Sequence, residues 1–242
     1  MSARDETTMN SREAAPQTDW HYHTMKDHDG KVIWSGQYDL YELWHHFGIP
    51  DDLKGQPVID IGTATGFFAF ECERRGASPV VATELSGIED WDARSGVEYD
   101  GVNIPIANHN DFLYLHERYA SSVRLHRTNI SDPLDPSLGR FDWVIFGSLM
   151  THIRDPMRSL ENVRGLTKGR AVIISSYLPG DENKSLHWIQ THRPFDWWVP
   201  TKPLIPDMLR SAGFSRVEET GDFTLVHRDG SRHAQAAWHA FP

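Results

Sequence analysis

The stretch VIDIGTATGFFAF, residues 58–70, decides how the chain is read. Val58 to Ile61 are apolar around one acid, Asp60, and carry the β-branched residues a buried strand favours. Gly62 and Gly66 then bracket three small residues, Thr63, Ala64 and Thr65, before the apolar run FFAF. A strand, a glycine-bracketed turn and a helix in that order let backbone N–H groups approach a ligand closely.

Working outward, short β-like runs alternate with helical ones. Strands are predicted at 57–61, 79–84, 123–127, 141–147 and 170–176, with helices at 66–75, 109–119 and 156–165. That alternation implies an α/β fold with a parallel, doubly wound sheet covered on both faces. A further helix at 203–212 precedes Gly213 and the runs FSRVEET, FTLVHR and AQAAWHAF, the last two separated by a DGS turn signal. The sheet is therefore expected to end in an antiparallel hairpin, seven strands in all. Residues 90–110, rich in glycine and acids, read as an ordered loop. Residues 1–19 are polar and aperiodic and are expected to form a flexible tail. Residues 20–55 read as a hairpin turning near Asp29–Gly30 followed by a helix, together a lid; 56–242 form the main domain, with a substrate-binding insertion at about 177–202.

Composition narrows the class. The 242 residues suffice for a sizeable core, and acids outnumber Lys plus Arg 34 to 24, for a formal charge of −10. With no basic block, nucleic acid is disfavoured as a partner, since phosphate contacts rely on Lys and Arg. No apolar run approaches the roughly 18 residues of a membrane span. The lone Cys72 excludes an intrachain disulfide and suits a reducing, cytoplasmic setting. Fourteen histidines are scattered without metal-ligand spacing, so no metal is expected.

Glu84 ends the second strand, where a carboxylate accepts hydrogen bonds from both hydroxyls of a ribose. The loop G-T-A-T-G lacks the G-x-G-x-x-G pattern that seats a pyrophosphate. A nucleoside ligand without pyrophosphate fits better, and S-adenosylmethionine is the candidate. Ala64 is then tolerable, because no phosphate meets that position. A tight βα turn that binds nothing is the bland alternative.

VIDIGTATGFFAFECERRGASPVVATELS resembles the cofactor motif of class I S-adenosylmethionine-dependent methyltransferases, which have a Rossmann-like fold, and FDWVIFGSLMTHIRDPMRSLENVRGLTKGRAVIIS is similar to their fourth strand, next helix and fifth strand. Within the class, the resemblance is to a branch that includes tRNA wobble-uridine carboxymethyl transferases and bacterial small-molecule methyltransferases. It implies cofactor contacts at Asp60, Gly62, Thr63, Gly66, Glu84 and Leu85, at Asn129, Ile130 and Ser131 after the third strand, and at Gly147 and Ser148 after the fourth. Ala64 departs from the pattern, many members having glycine there.

On the acceptor side, His152 follows the fourth strand and is the candidate general base, with helix capping or packing as its alternative. Asp155 before Pro156 reads as a helix N-cap. His187, Trp188, His192, Arg193, Trp197 and Trp198, with Tyr22, combine apolar walls and polar tips as an acceptor pocket does. Trp34 is a candidate to face the sulfonium by cation–π attraction. The expected activity is methyl transfer to O or N of a small polar metabolite, in biosynthesis. Methyl or carboxymethyl transfer to tRNA, and a catalytically silent cofactor-binding module, are the alternatives. Monomer and homodimer both stay open.

Overall fold

The computed structural model describes residues 20–92, 104–189 and 195–242. Val58–Ile61 is a strand buried at every position, the pattern of a parallel strand covered on both faces. In chain order the strands are β1 (Met25–Lys26), β2 (Val32–Trp34), β3 (Val58–Ile61), β4 (Val80–Glu84), β5 (Arg124–Arg127), β6 (Phe141–Gly147), β7 (Thr167–Ser176), β8 (Leu186–Trp188), β9 (Trp198–Pro200), β10 (Arg216–Val226) and β11 (Arg232–Phe241). The helices are α1 (Phe67–Arg74), α2 (Ile104–Arg118), α3 (Pro156–Leu166) and α4 (Ile205–Ser211).

Seven strands form the main sheet in the order β10-β11-β7-β6-β3-β4-β5. β3 pairs in parallel with both β4 and β6, so the strand order reverses beside it. β11 runs antiparallel to β7 and β10, which makes the expected closing hairpin. Two apolar clusters cover the faces, one around Phe67, Phe68, Trp44 and Phe47, the other around Ile59, Phe146, Leu160 and Trp238.

Helix limits follow local chemistry. Gly66 caps α1 at φ +93°, and a Cβ there would lie 2.3 Å from Phe70 Cε2 and 2.9 Å from Phe112 Cδ2. Glycine at this position thus serves helix packing as well as the turn. Pro156 opens α3, and Asp155 Oδ1 accepts from Arg158 N–H at 3.0 Å, the cap expected from sequence.

Three expectations need correction. The helix expected after the first hairpin is absent; only turns and a short 3₁₀ segment, Trp44–Phe47, occur there. Trp44 and Phe47 are drawn into the core against Phe67, Phe68 and Phe223, so tertiary burial sets this path. α2 begins at Ile104, inside the stretch read as loop; its apolar residues Phe112 and Leu115 bury against α1 and hide the periodicity behind polar neighbours. FSRVEET and FTLVHR form one strand, β10, continuous through a bulge between Glu219 and Gly221.

Candidate functional site

A cavity of about 600 Å³ opens at the carboxyl ends of the parallel strands. Its floor is the loop after β3. Asp60 is buried, and Thr63 Oγ1 donates to its Oδ2 at 2.6 Å. Burial pushes the Asp60 carboxyl up to about 7. Gly62 and Ala64 both take left-handed backbone, at φ +65° and +51°. Ala64 N–H donates to Glu84 Oε2 and Leu85 N–H to Glu84 Oε1, each at 2.9 Å. Two backbone donors therefore fix the Glu84 carboxylate at the rim, and each of its oxygens keeps acceptor capacity. Burial raises its pKa, while those two N–H groups and Arg127 pull the other way.

Around this floor the cavity wall contains Leu85, Asn129, Ile130, Gly147 and Ser148, five of the residues that the resemblance assigns to the cofactor. Asn129 Oδ1 accepts from Ser131 N–H at 2.9 Å, which shapes the turn after β5. Ser148, at φ +55°, donates through Oγ to Gln235 Oε1 at 2.9 Å. Gly66 and Ser131 stand behind the lining; Ser131 Oγ meets Ser159 Oγ at 2.9 Å. Trp34, expected at the cofactor, is also outside the lining: it stacks on His21 at 4.3 Å, and its Nε1–H donates to the His23 carbonyl. It locks the first hairpin to the core.

His152 does line the cavity. Its Nδ1 lies 3.0 Å from Asp196 Oδ1 and 3.3 Å from the Phe195 carbonyl. Both are acceptors, so Nδ1 is the donor, and in the neutral ring that tautomer leaves the lone pair on Nε2. Asp196 also lines the cavity and was not singled out from sequence. Its signal was present, an acid between aromatic residues in PFDWW, but the neighbouring tryptophans drew the reading.

Those tryptophans do another job. Trp197 Nε1–H donates to the Asp92 carbonyl at 2.5 Å and Trp198 Nε1–H to the Arg154 carbonyl at 3.0 Å, while Trp188 is edge-on to both. His187 Nε2 lies 3.3 Å from Asp181 Oδ2. All four lie outside the cavity wall and brace the β8–β9 hairpin over it; His192 and Arg193 lie outside the described residues. The insertion reaches the cavity instead through Ile189, Phe195, Asp196 and Val199. Of the acceptor candidates Tyr22 is in the wall, on the N-terminal segment, beside His23, Tyr38, Leu40 and Phe47. His23 is buried and neutral, its pKa lowered to about 3 by desolvation, with Nδ1 2.8 Å from Thr65 Oγ1.

Asn108 on α2 is a further wall residue the sequence did not flag, because it fell in the stretch read as loop. Its Oδ1 is buried with no partner. A buried acceptor left unmatched costs about 1–3 kcal/mol, which a ligand donor would recover. Among the described residues there is no cluster of three or more His, Cys, Asp or Glu that would hold a metal ion, and no helix long and apolar enough to cross a membrane.

A mostly parallel seven-stranded sheet with an antiparallel end, and a cavity over the loop after its central strand, define the fold of the class I S-adenosylmethionine-dependent methyltransferases. No protein-family model matches the chain. It is 24% identical over 172 residues to the tRNA U34 carboxymethyltransferase of Pseudomonas fluorescens (strain Pf0-1), covering 69% of this chain and 48% of that one. It is 32% identical over 108 residues to the magnesium-protoporphyrin O-methyltransferase of Rhodobacter capsulatus, covering 45% and 38%. Among solved structures, the N-terminal domain of EvdMO1 with SAH bound superposes with a TM-score of 0.64 at 16% identity, over 98% of this chain and 99% of that one. The chain spans about half the length of the curated tRNA-modifying relatives it matches.

Proposed function

We propose that the chain is an S-adenosylmethionine-dependent methyltransferase acting on a small molecule. The observation that carries this reading is Glu84, held by Ala64 and Leu85 N–H groups at the rim of the glycine loop, where the strand order reverses. The residues present fit the cofactor. Glu84 would take the ribose hydroxyls, Asn129 and Ile130 the adenine, and Gly62 the methionine portion. Asn108 Oδ1, buried and unmatched, suits an N–H or O–H of the ligand. Four acidic side chains, Asp60, Glu84, Asp92 and Asp196, line the cavity, and their ionised forms set up a field that favours a cationic ligand.

When bound, S-adenosylmethionine supplies a methyl group activated by a sulfonium. The chain's own work is to position the acceptor, exclude water and, for a hydroxyl or ammonium acceptor, take up a proton. His152 Nε2 is the proton acceptor in this reading, and Asp196 is the positioning residue that fixes its tautomer. The apolar wall of Phe68, Phe223 and Leu225 keeps the acceptor side dry. The resemblance to the O-methyltransferase supports an acceptor oxygen, with nitrogen the other choice.

Isothermal titration with S-adenosylhomocysteine tests the cofactor. Native protein is expected to bind, and Glu84→Ala to lose about 100-fold in affinity, two hydrogen bonds to a charged acceptor at ~1.5 kcal/mol each. No heat with native protein, or undiminished affinity in the variant, overturns the reading. For the base, His152→Gln is expected to lower kcat by about 10²-fold or more while leaving S-adenosylhomocysteine affinity intact. Full turnover in that variant removes His152 from proton transfer.

A further inference from the structure

The acceptor end of the same cavity carries a charge that the cofactor does not explain. Arg232 is the only Lys or Arg among the described residues that line it. It starts β11, three residues before Gln235, which pairs with Ser176 at the end of β7, so the residue stands beyond the carboxyl end of β7.

The acids around this hairpin already have partners. Lys202 Nζ lies 2.7 Å from Glu219 Oε1 and 2.6 Å from Asp222 Oδ2, and Tyr177 O–H donates to Asp222 Oδ1 at 2.9 Å. Asp229 Oδ1 is 2.9 Å from His227 Nδ1, and Asp181 Oδ2 is 3.3 Å from His187 Nε2. Arg232, exposed, forms no ion pair with any described residue. A guanidinium that lines a cavity and has no ion-pair partner among the described residues is a recognition element for a carboxylate or phosphate.

Position argues against the cofactor as that anion. β11 is separated from β3 by β7 and β6, three strand spacings or roughly 14 Å from the glycine loop. Beside Arg232, on the neighbouring edge strand β10, Phe223 and Leu225 are buried and line the cavity, giving that end an apolar wall.

We propose that Arg232 is the specificity residue for the acceptor, and that the acceptor is an organic anion with an apolar body and a carboxylate or phosphate at the end remote from the methylated atom. This rests on the methyltransferase reading above. Opposite signs at the two ends of the cavity then orient both ligands, the cation towards Glu84 and Asp60, the anion towards Arg232.

The test uses native protein, Arg232→Gln and Arg232→Lys, each first titrated with S-adenosylhomocysteine and then, saturated with it, with 4-hydroxybenzoate, 4-hydroxybenzamide and phenyl phosphate. Native protein is expected to bind an anionic probe at least tenfold more tightly than the amide. Arg232→Gln is expected to lose that preference, Arg232→Lys to keep part of it, and all three to bind S-adenosylhomocysteine within twofold of one another. Binding of acid and amide alike, binding of no probe by native protein, or an unchanged preference in Arg232→Gln overturns the proposal. A tenfold loss of S-adenosylhomocysteine affinity in Arg232→Gln would assign the residue to the cofactor and equally overturn it. Failure of native protein in the first titration falls on the methyltransferase reading itself, so the two failures are told apart.

Discussion

Ala64 answers in backbone terms the question its sequence position raises. Its φ of +51° is a conformation that costs an L-residue about 1–2 kcal/mol, and its N–H is the donor that pins Glu84 Oε2. The chain therefore holds a mild strain at the ligand-facing turn, as functional loops commonly do. Ala64→Gly is expected to raise stability by about 0.5–1 kcal/mol after the entropy glycine adds to the unfolded chain, read as a thermal midpoint higher by about 1–4 °C. A lower midpoint would show that the methyl group's packing outweighs the strain. The glycines and acids of this loop were legible in the sequence, because a strand, a tight turn and a second strand ending in an acid leave little choice of geometry. Asn108 was not, since it joins the site only when α2 packs over the glycine loop, and the acid in PFDWW, though visible, gains its role only when the segment before β9 meets His152.

Elements rather than residues explain what happened to the aromatic segments. The five parallel strands, α1, α3 and the closing hairpin were readable because period and punctuation agree there. Residues 20–55 were not, because their path is set by docking. Trp44 and Phe47 insert between α1 and β10, Thr220 O–H donates to the His46 carbonyl at 2.9 Å, and His239 Nε2 meets the Phe47 carbonyl at 3.1 Å. Gly221 permits this contact, since a Cβ there would lie 2.6 Å from His46 Cβ and 2.7 Å from its carbonyl oxygen. Gly221→Ala is expected to destabilise by about 1–3 kcal/mol, lowering the thermal midpoint by about 2–12 °C. A variant as stable as the native chain would mean that the N-terminal segment yields freely, and that its docking contributes little. The tryptophans at 188, 197 and 198 teach the same lesson. Their composition resembles a pocket, yet the N–H groups of Trp197 and Trp198 find backbone carbonyls and the Trp188 ring meets both of theirs, so they brace the hairpin.

For the whole molecule, two buried groups shape the response to pH in opposite senses. Asp60, raised from 3.8 to about 7, favours the protonated folded state; its contribution is full below 3.8 and is lost as pH rises towards 7. His23, lowered from 6.5 to about 3, is neutral when folded; its contribution is present above 6.5 and is lost as pH falls towards 3. Between 3.8 and 6.5 the two slopes cancel. Asp60→Asn is thus expected to make stability climb with pH more steeply by about 1.4 kcal/mol per unit across that window, measured by urea unfolding; parallel slopes for variant and native chain would contradict the assignment. The same buried acid predicts that a cationic cofactor binds more tightly as pH rises towards 7, with release of a proton. All of these effects converge on one cavity, and the claim beneath them is that Glu84 grips a ribose there. A crystal soaked with S-adenosylhomocysteine tests it most directly. The account predicts both ribose hydroxyls within about 3 Å of the Glu84 carboxylate, with the adenine against Ile130; a nucleoside bound elsewhere, or none at saturating concentration, would contradict it.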